Sequence, residues 1–105
     1  MNIIDQYFSI AKEYSNNDMV VLYKVGLHYY KIFSYDIEYI VELSRLLNLH
    51  ATSAVNLKYE KGRKRPYMIG FPISAYNSYE SILPKHNYVI IKVDGDEISI
   101  IPLGG

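Results

Sequence analysis

The chain has 105 residues, of which 50% are apolar and 21% are charged, as expected for one globular domain rather than a disordered segment. Eleven basic and eleven acidic residues leave no formal net charge. This balance excludes nucleic-acid binding driven by the charge of the whole molecule, so such binding would need a local basic patch. Without cysteine the chain can form no disulfide, thiolate metal site or cysteine nucleophile.

Targeting and membrane signals are absent from the sequence. No run reaches the roughly 18 apolar residues of a membrane span. The first residues contain Asp5 and no basic region, which argues against a signal peptide. We therefore expect residues 1–105 to form a single cytoplasmic domain that does not associate with a membrane.

The first part of the chain predicts a helix followed by a β-hairpin. Apolar residues recur at helical spacing over residues 3–15. A nearly continuous apolar run over residues 19–25, rich in Val and Tyr, predicts a buried strand. A short turn at 26–28 leads into a second strand over residues 29–33.

The middle of the chain predicts a second helix over residues 36–48, with Ser34 or Asp36 as its N-cap. Residues 50–57 are compatible with a short strand. The remaining predicted elements are a strand over 67–71, a helix that begins at Ser74 and ends before Pro84, a strand over 88–93, a turn at 94–96, a strand over 98–101 and a flexible tail over 102–105. Helices interspersed with tightly connected strands predict an α/β fold, a mixed sheet with about three helices packed on it.

Residues 58–65 form the strongest electrostatic feature of the sequence. This segment holds five of the eleven basic residues, and Gly62 and Pro66 indicate a loop or a hairpin tip. A cluster of this kind can bind phosphates or an acidic partner, with strong salt dependence, or it can be a solvated loop. Its cations are Lys58, Lys61, Arg63, Lys64 and Arg65.

Tyrosine is the most unusual component, with twelve residues against three Phe and no Trp. Tyrosine can replace Phe at half-buried positions, or it can provide stackable rings with polar tips for a binding surface. Composition alone leaves both interpretations open.

Catalytic and metal-binding patterns are not found. His28, His50 and His86 share no ligand spacing, and the acidic residues of the 94–96 turn do not form a calcium-binding loop. No Walker-type glycine loop and no nucleophile with a paired acid and base can be assembled. We therefore expect a protein that is not an enzyme and that uses neither a cofactor nor a metal.

Two stretches resemble the N-terminal mismatch-recognition domain of the MutS family. Residues 20–26 (VVLYKVG) and 29–33 (YYKIF) are similar to that family's strand, glycine turn and Phe-Tyr-Glu strand. Residues 68–72 (MIGFP) and 88–91 (YVII), with an intervening helix, are similar to its Gly-hydrophobic-Pro turn and following strand. The order and spacing agree from Tyr7 to about Val93, so the resemblance implies the fold of that domain.

The resemblance also implies roles for individual residues. It places Tyr29 at the position of the Phe that stacks against a mispaired base, and Lys31 at the position of the Glu that contacts that base. Stacking can be retained by Tyr29. Lys31 has only hydrogen-bond donors, whereas a carboxylate only accepts, so strict mismatch specificity is not expected.

These features lead to two hypotheses. The first is a non-catalytic module that binds nucleic acid, either RNA or DNA, including distorted or single-stranded DNA, through Tyr29, Lys31 and the basic segment 58–65. The second is a protein–protein interaction module of the same fold, an adaptor or inhibitor of a nucleic-acid-handling partner, with tyrosines as interface anchors. Salt dependence distinguishes them, because phosphate binding weakens steeply with ionic strength. The sequence does not define an oligomeric state.

Overall fold

A computed structural model describes residues 3–14, 18–53 and 65–103. The observed elements follow the predicted order, with most boundaries shifted by one or two residues. In chain order they are α1 (Ile3–Glu13), β1 (Met19–Val25), β2 (Tyr29–Ser34), α2 (Ile37–Leu47), β3 (Thr52–Ser53), β4 (Tyr67–Pro72), a short 3₁₀ helix (Ile73–Ala75), α3 (Tyr76–Lys85), β5 (Val89–Asp94) and β6 (Glu97–Ile101).

The strands form one six-stranded sheet in the order β3-β4-β2-β1-β5-β6. β1 and β5 pair in parallel, and the other neighbouring pairs are antiparallel. The predicted α/β fold with a mixed sheet is thus confirmed. The turns after β1 and after β5 lie at the same end of the sheet, called here the hairpin end.

Helices cover both faces of the sheet, because successive residues of each strand point to opposite faces. On one face α2 and α3 pack over residues such as Leu22, Ile32 and Ile69, all fully buried. On the other face α1 packs over a smaller cluster that includes Val21, Phe33, Ile91 and Val93.

The predicted cap of the second helix is confirmed at Asp36. Its Oδ1 accepts hydrogen bonds from the backbone N–H groups of Glu38 (3.0 Å) and Tyr39 (3.3 Å), which lack partners inside the helix. The helix ends at Asn48, whose left-handed backbone (φ 55°) suits a C-cap.

The predicted start and end of the third helix are wrong. Ser74 lies inside the 3₁₀ turn, because the chain bends as soon as β4 ends, where the Ile73 N–H donates to the His28 carbonyl (2.8 Å). α3 therefore begins at Tyr76 without a side-chain cap. Pro84 lies within the last turn, and the helix continues one residue beyond it, to Lys85.

Two other predictions are only partly tested. In the segment 50–57, a strand is observed at Thr52–Ser53 alone, and residues 54–57 lie outside the described residues. Within the predicted tail, Pro102 and Leu103 belong to no helix or strand, and residues 104–105 lie outside the described part.

Candidate nucleic-acid interface

The site begins at the three-residue turn of the β1–β2 hairpin. Gly26 has a left-handed backbone (φ 65°), and a Cβ there would meet nothing within 4 Å, so backbone conformation rather than space favours glycine. The next turn residue, Leu27, is 80% exposed. The bond from the Ile73 N–H to the His28 carbonyl holds the turn against the end of β4. The turn is therefore anchored while its apolar tip faces solvent.

Tyr29 is the first residue of β2 and is 49% exposed. Its backbone is fixed on both sides, because it pairs with Val25 in β1 and with Pro72 in β4. With Leu27, it places two large apolar side chains in solvent at the hairpin end. Exposed apolar side chains on a fixed backbone are suited to stacking on a base or inserting between bases.

Lys31 lies on the same face of the sheet as Tyr29, two residues further along β2. Its neighbours across the strands are Tyr23 and Gly70. Its side chain extends over Gly70, since a Cβ placed there would lie 3.5 Å from Cγ of Lys31. Within the part of the chain that the structure describes, Lys31 forms no ion pair or side-chain hydrogen bond, so its ammonium is available to a ligand.

Tyr30, between these two residues, points to the opposite face and is only 3% exposed. Its ring lies 6.0 Å from that of Phe71 and 5.4 Å from that of Tyr76, measured between centroids. Burial, and secondarily the charge of Asp94, raises the pKa of Tyr30. This packing fixes the rotation of β2, and with it the outward direction of Tyr29 and Lys31.

The other lysines at the hairpin end have partners. Lys24 forms an ion pair with Asp94 (3.4 Å), and Lys92 lies over the ring of Tyr76, 4.3 Å from its centroid. Lys31 is therefore distinguished from its neighbours by its free charge.

The basic segment is only partly described. Lys58, Lys61, Arg63 and Lys64 lie outside the described residues, and Arg65 is exposed. Arg65 precedes β4, whose first residue, Tyr67, pairs with Ser34 at the end of β2 away from Tyr29. The five-residue step from Tyr29 to Ser34 spans about 17 Å. Tyr29 and Lys31 are thus close together, whereas Arg65 lies at the opposite end of the sheet.

Across the described ranges, no group of three or more His, Asp or Glu side chains could hold a metal ion. No helix in these ranges is long and apolar enough to cross a membrane.

Leu27 is the feature of this site that sequence reasoning missed. A leucine in a short turn belongs to no motif, and only its measured exposure singles it out. A possible signal was its position directly after the glycine of a tight hairpin turn, where side chains commonly face solvent.

Comparison with known proteins identifies the fold. The family model described as MutS domain I matches residues 1–100, nearly the whole chain. Among curated proteins, no sequence matches this chain. Because the match extends from α1 into β6, the chain belongs to the MutS domain I family.

Proposed function

We propose that this chain is a non-catalytic DNA-binding module that recognises distorted DNA through the hairpin end of its sheet. The observation that carries the proposal is the exposure of Tyr29, on a strand paired on both sides, near the exposed Leu27 in a domain of the MutS domain I family. The resemblance places Tyr29 at the position of the stacking aromatic residue of that family.

Stacking by Tyr29 supplies the binding energy that depends on DNA distortion. Base–aromatic stacking contributes about 1–3 kcal/mol per base and tolerates any base. A ring can insert only where bases are already unstacked or where the duplex bends easily. A bulge, a mismatch or a single strand therefore binds better than an undistorted duplex.

A lysine at position 31, in place of the family's Glu, changes which features of DNA the site can recognise. An ammonium donates hydrogen bonds to phosphates and to the acceptors of the minor groove, which A·T and T·A pairs share. It cannot accept a hydrogen bond from a base, as a carboxylate does. The site is therefore selective for DNA shape more than for the identity of a mismatched base.

The basic segment 58–65 supplies contacts to the DNA backbone. Because the chain carries no net charge, these five cations provide the local positive charge that phosphate binding needs. The separation of about 17 Å between Tyr29 and the start of β4 is roughly half a turn of B-DNA, so one duplex can contact both.

The test is binding to three labelled oligonucleotides: a perfect duplex, the same duplex with one bulged base, and a single strand. The wild-type protein is expected to prefer the last two at low salt. Tyr29→Ala should reduce that preference, and Tyr29→Phe, which keeps the ring, should retain it. Absence of binding to all three at low salt would reject the proposal.

An alternative function is a protein–protein interaction module, and the exposed apolar surface of β6 favours it. Ile98 and Ile100 are 39% and 56% exposed on the edge strand of the sheet, where unpaired backbone groups can pair with another chain. A partner that remains bound after nuclease treatment, and at moderate salt, would support this alternative.

A further inference from the structure

A cleft lies at the end of the sheet opposite the hairpin end, where β1 begins and β2 ends. It encloses about 530 Å³ between α1, the start of α2 and these strand ends. Tyr7 and Phe33 are almost fully buried and form its floor. Phe8, Ala11 and Met19 lie nearer the surface and add an apolar wall.

The aromatic rings of this cleft are held in place by contacts within the protein. The ring of Phe8 stacks on that of Tyr35 (4.9 Å between centroids) and meets the ring of Tyr7 edge-on (5.3 Å). The Tyr39 hydroxyl donates to the Met19 carbonyl (2.6 Å), and the Tyr7 hydroxyl donates to the Val21 carbonyl (3.0 Å). The rings therefore present fixed faces and edges to a ligand.

The charged residues of the cleft all have the same sign. Asp36, Glu38 and Glu42 line it, and none of its described lining residues is Lys, Arg or His. Glu38, Glu42 and Tyr88 also line an adjoining groove, to which Arg45 and His86 belong. Three carboxylates beside aromatic rings form an environment that attracts an organic cation.

One of these carboxylates, Glu42, affects the pKa of the tyrosine at the edge of the cleft. Burial, and then the charge of Glu42, raises the pKa of Tyr88. Burial, then Tyr7 and Tyr88, and last Glu42 raise the pKa of Tyr39. Both directions agree with a negative potential in the cleft.

We propose that this cleft binds a basic peptide segment of another protein. A lysine or arginine side chain of that segment lies among the three carboxylates, and an adjacent apolar side chain packs against Phe8, Ala11 and Met19. The charge complementarity identifies a cationic partner and excludes the DNA backbone, which the carboxylates repel. This inference does not rest on the proposed DNA binding, because no residue assigned to DNA binding lines the cleft.

The probe is a fluorescein-labelled peptide in which Lys alternates with Leu, compared with a twin that carries Glu in place of each Lys. Binding is measured by fluorescence anisotropy at low salt. The wild-type protein should bind the Lys peptide and not the Glu peptide. Equal binding of the two peptides would overturn the proposal.

A variant without the three carboxylate charges of the cleft tests whether the Lys peptide binds there. Asp36→Asn, Glu38→Gln and Glu42→Gln together remove the three charges with little change in shape, and Asn at position 36 keeps the cap of α2. The control variant, Glu13→Gln with Asp96→Asn and Glu97→Gln, has the same net charge. The cleft variant should bind the Lys peptide about tenfold more weakly, and the control as well as wild type. Equal loss in both variants would contradict the proposal.

A second variant tests the cleft without removing a carboxylate. Ala11→Lys keeps a residue that favours helix and places an ammonium within the cleft. It should reduce binding of the Lys peptide by a similar factor. Unchanged affinity would contradict the proposal.

A third variant tests whether the chain's own basic segment occupies the cleft. In it, Ser replaces Lys58, Lys61, Arg63 and Lys64. A rise in the affinity for the Lys peptide would contradict the proposal, since the chain's own cations would then be the occupant.

Discussion

Tyr29 is held by strand pairing on both sides, yet half of its side chain is exposed, and Lys31 follows it on the same face with an unpaired charge. The proposed function gives these two residues different roles in DNA binding. In that proposal Tyr29 supplies stacking, which depends on distortion, and Lys31 supplies a charge, which does not. The two contributions can therefore be separated by substitution.

Replacing Lys31 by Glu should lower the affinity for DNA in general and raise the preference for a mismatched duplex over a perfect one. We expect Lys31→Glu to weaken binding to a perfect duplex, because a carboxylate repels phosphate. The preference for a mismatched duplex over a perfect one should rise, since a carboxylate can accept hydrogen bonds from a displaced base. Competition between the two duplexes measures the ratio. A ratio that falls below that of the wild type would contradict this role.

Gly26→Ala tests the turn that presents Leu27 and Tyr29. The left-handed backbone at Gly26 should make this substitution cost about 1–2 kcal/mol in the free energy of unfolding. Gly70→Ala is the matched control, because its φ is not positive and its Cβ would make ordinary contacts with Lys31 at 3.5 Å. Urea denaturation measures both. Equal effects would show that backbone conformation does not determine the choice of glycine at position 26.

Buried tyrosines predict a loss of stability at alkaline pH. Burial raises the pKa of Tyr76 from 10.0 to about 12. The folded state then retains a proton that the unfolded state releases above pH 10.0, so the contribution to stability is complete below that pH and is lost between pH 10.0 and about 12. The free energy of unfolding of Tyr76→Phe should decline less steeply over this range. Urea midpoints at neutral and alkaline pH measure the difference, and parallel declines would contradict it.

At the level of elements, the N-cap Asp36 stabilises α2, and the same helix supplies Glu38 and Glu42 to the acidic cleft. Asp36→Ala should lower the free energy of unfolding by about 1 kcal/mol, because two backbone N–H groups lose their acceptor. Asp36→Asn should be nearly neutral for stability. Thermal or urea unfolding distinguishes the two. If Asn is as destabilising as Ala, the charge rather than the cap is what stabilises the helix.

Local patterns predict most elements of this fold, because their signals lie within a few residues. The β1–β2 hairpin follows from the apolar run and Gly26, and α2 follows from its periodicity and Asp36. The start of α3 was not predicted, since it depends on how the end of β4 contacts the distant carbonyl of His28. Sequence patterns favour a cap at Ser74, but tertiary contact determines where the chain bends.

The sequence predicted the residues of the candidate DNA site but not the acidic cleft. Tyr29 and Lys31 were singled out from a resemblance, and the structure places them on one face. The acidic cleft was not predicted, because its residues come from α1, β1, β2 and α2 and share no spacing. Such a site is visible only after the elements are packed together.

For the whole molecule, the proposed DNA binding uses both ends of the sheet, with Tyr29 at the hairpin end and Arg65 of the basic segment at the opposite end. This binding should depend strongly on salt. Replacing the five cations of segment 58–65 by Ser should reduce the magnitude of the slope of log K against log salt by up to about four. A slope unchanged by the substitutions would show that the segment does not contact phosphate.

The central claim is that Tyr29 recognises distorted DNA by stacking, and the most direct measurement compares a bulged and a perfect duplex by fluorescence anisotropy. Wild type and Tyr29→Phe should prefer the bulged duplex. Tyr29→Ala should lose about tenfold or more of its affinity for that duplex, as expected for loss of one stacked ring, with little change for the perfect duplex. Equal affinity of all three proteins for the bulged duplex would contradict the claim.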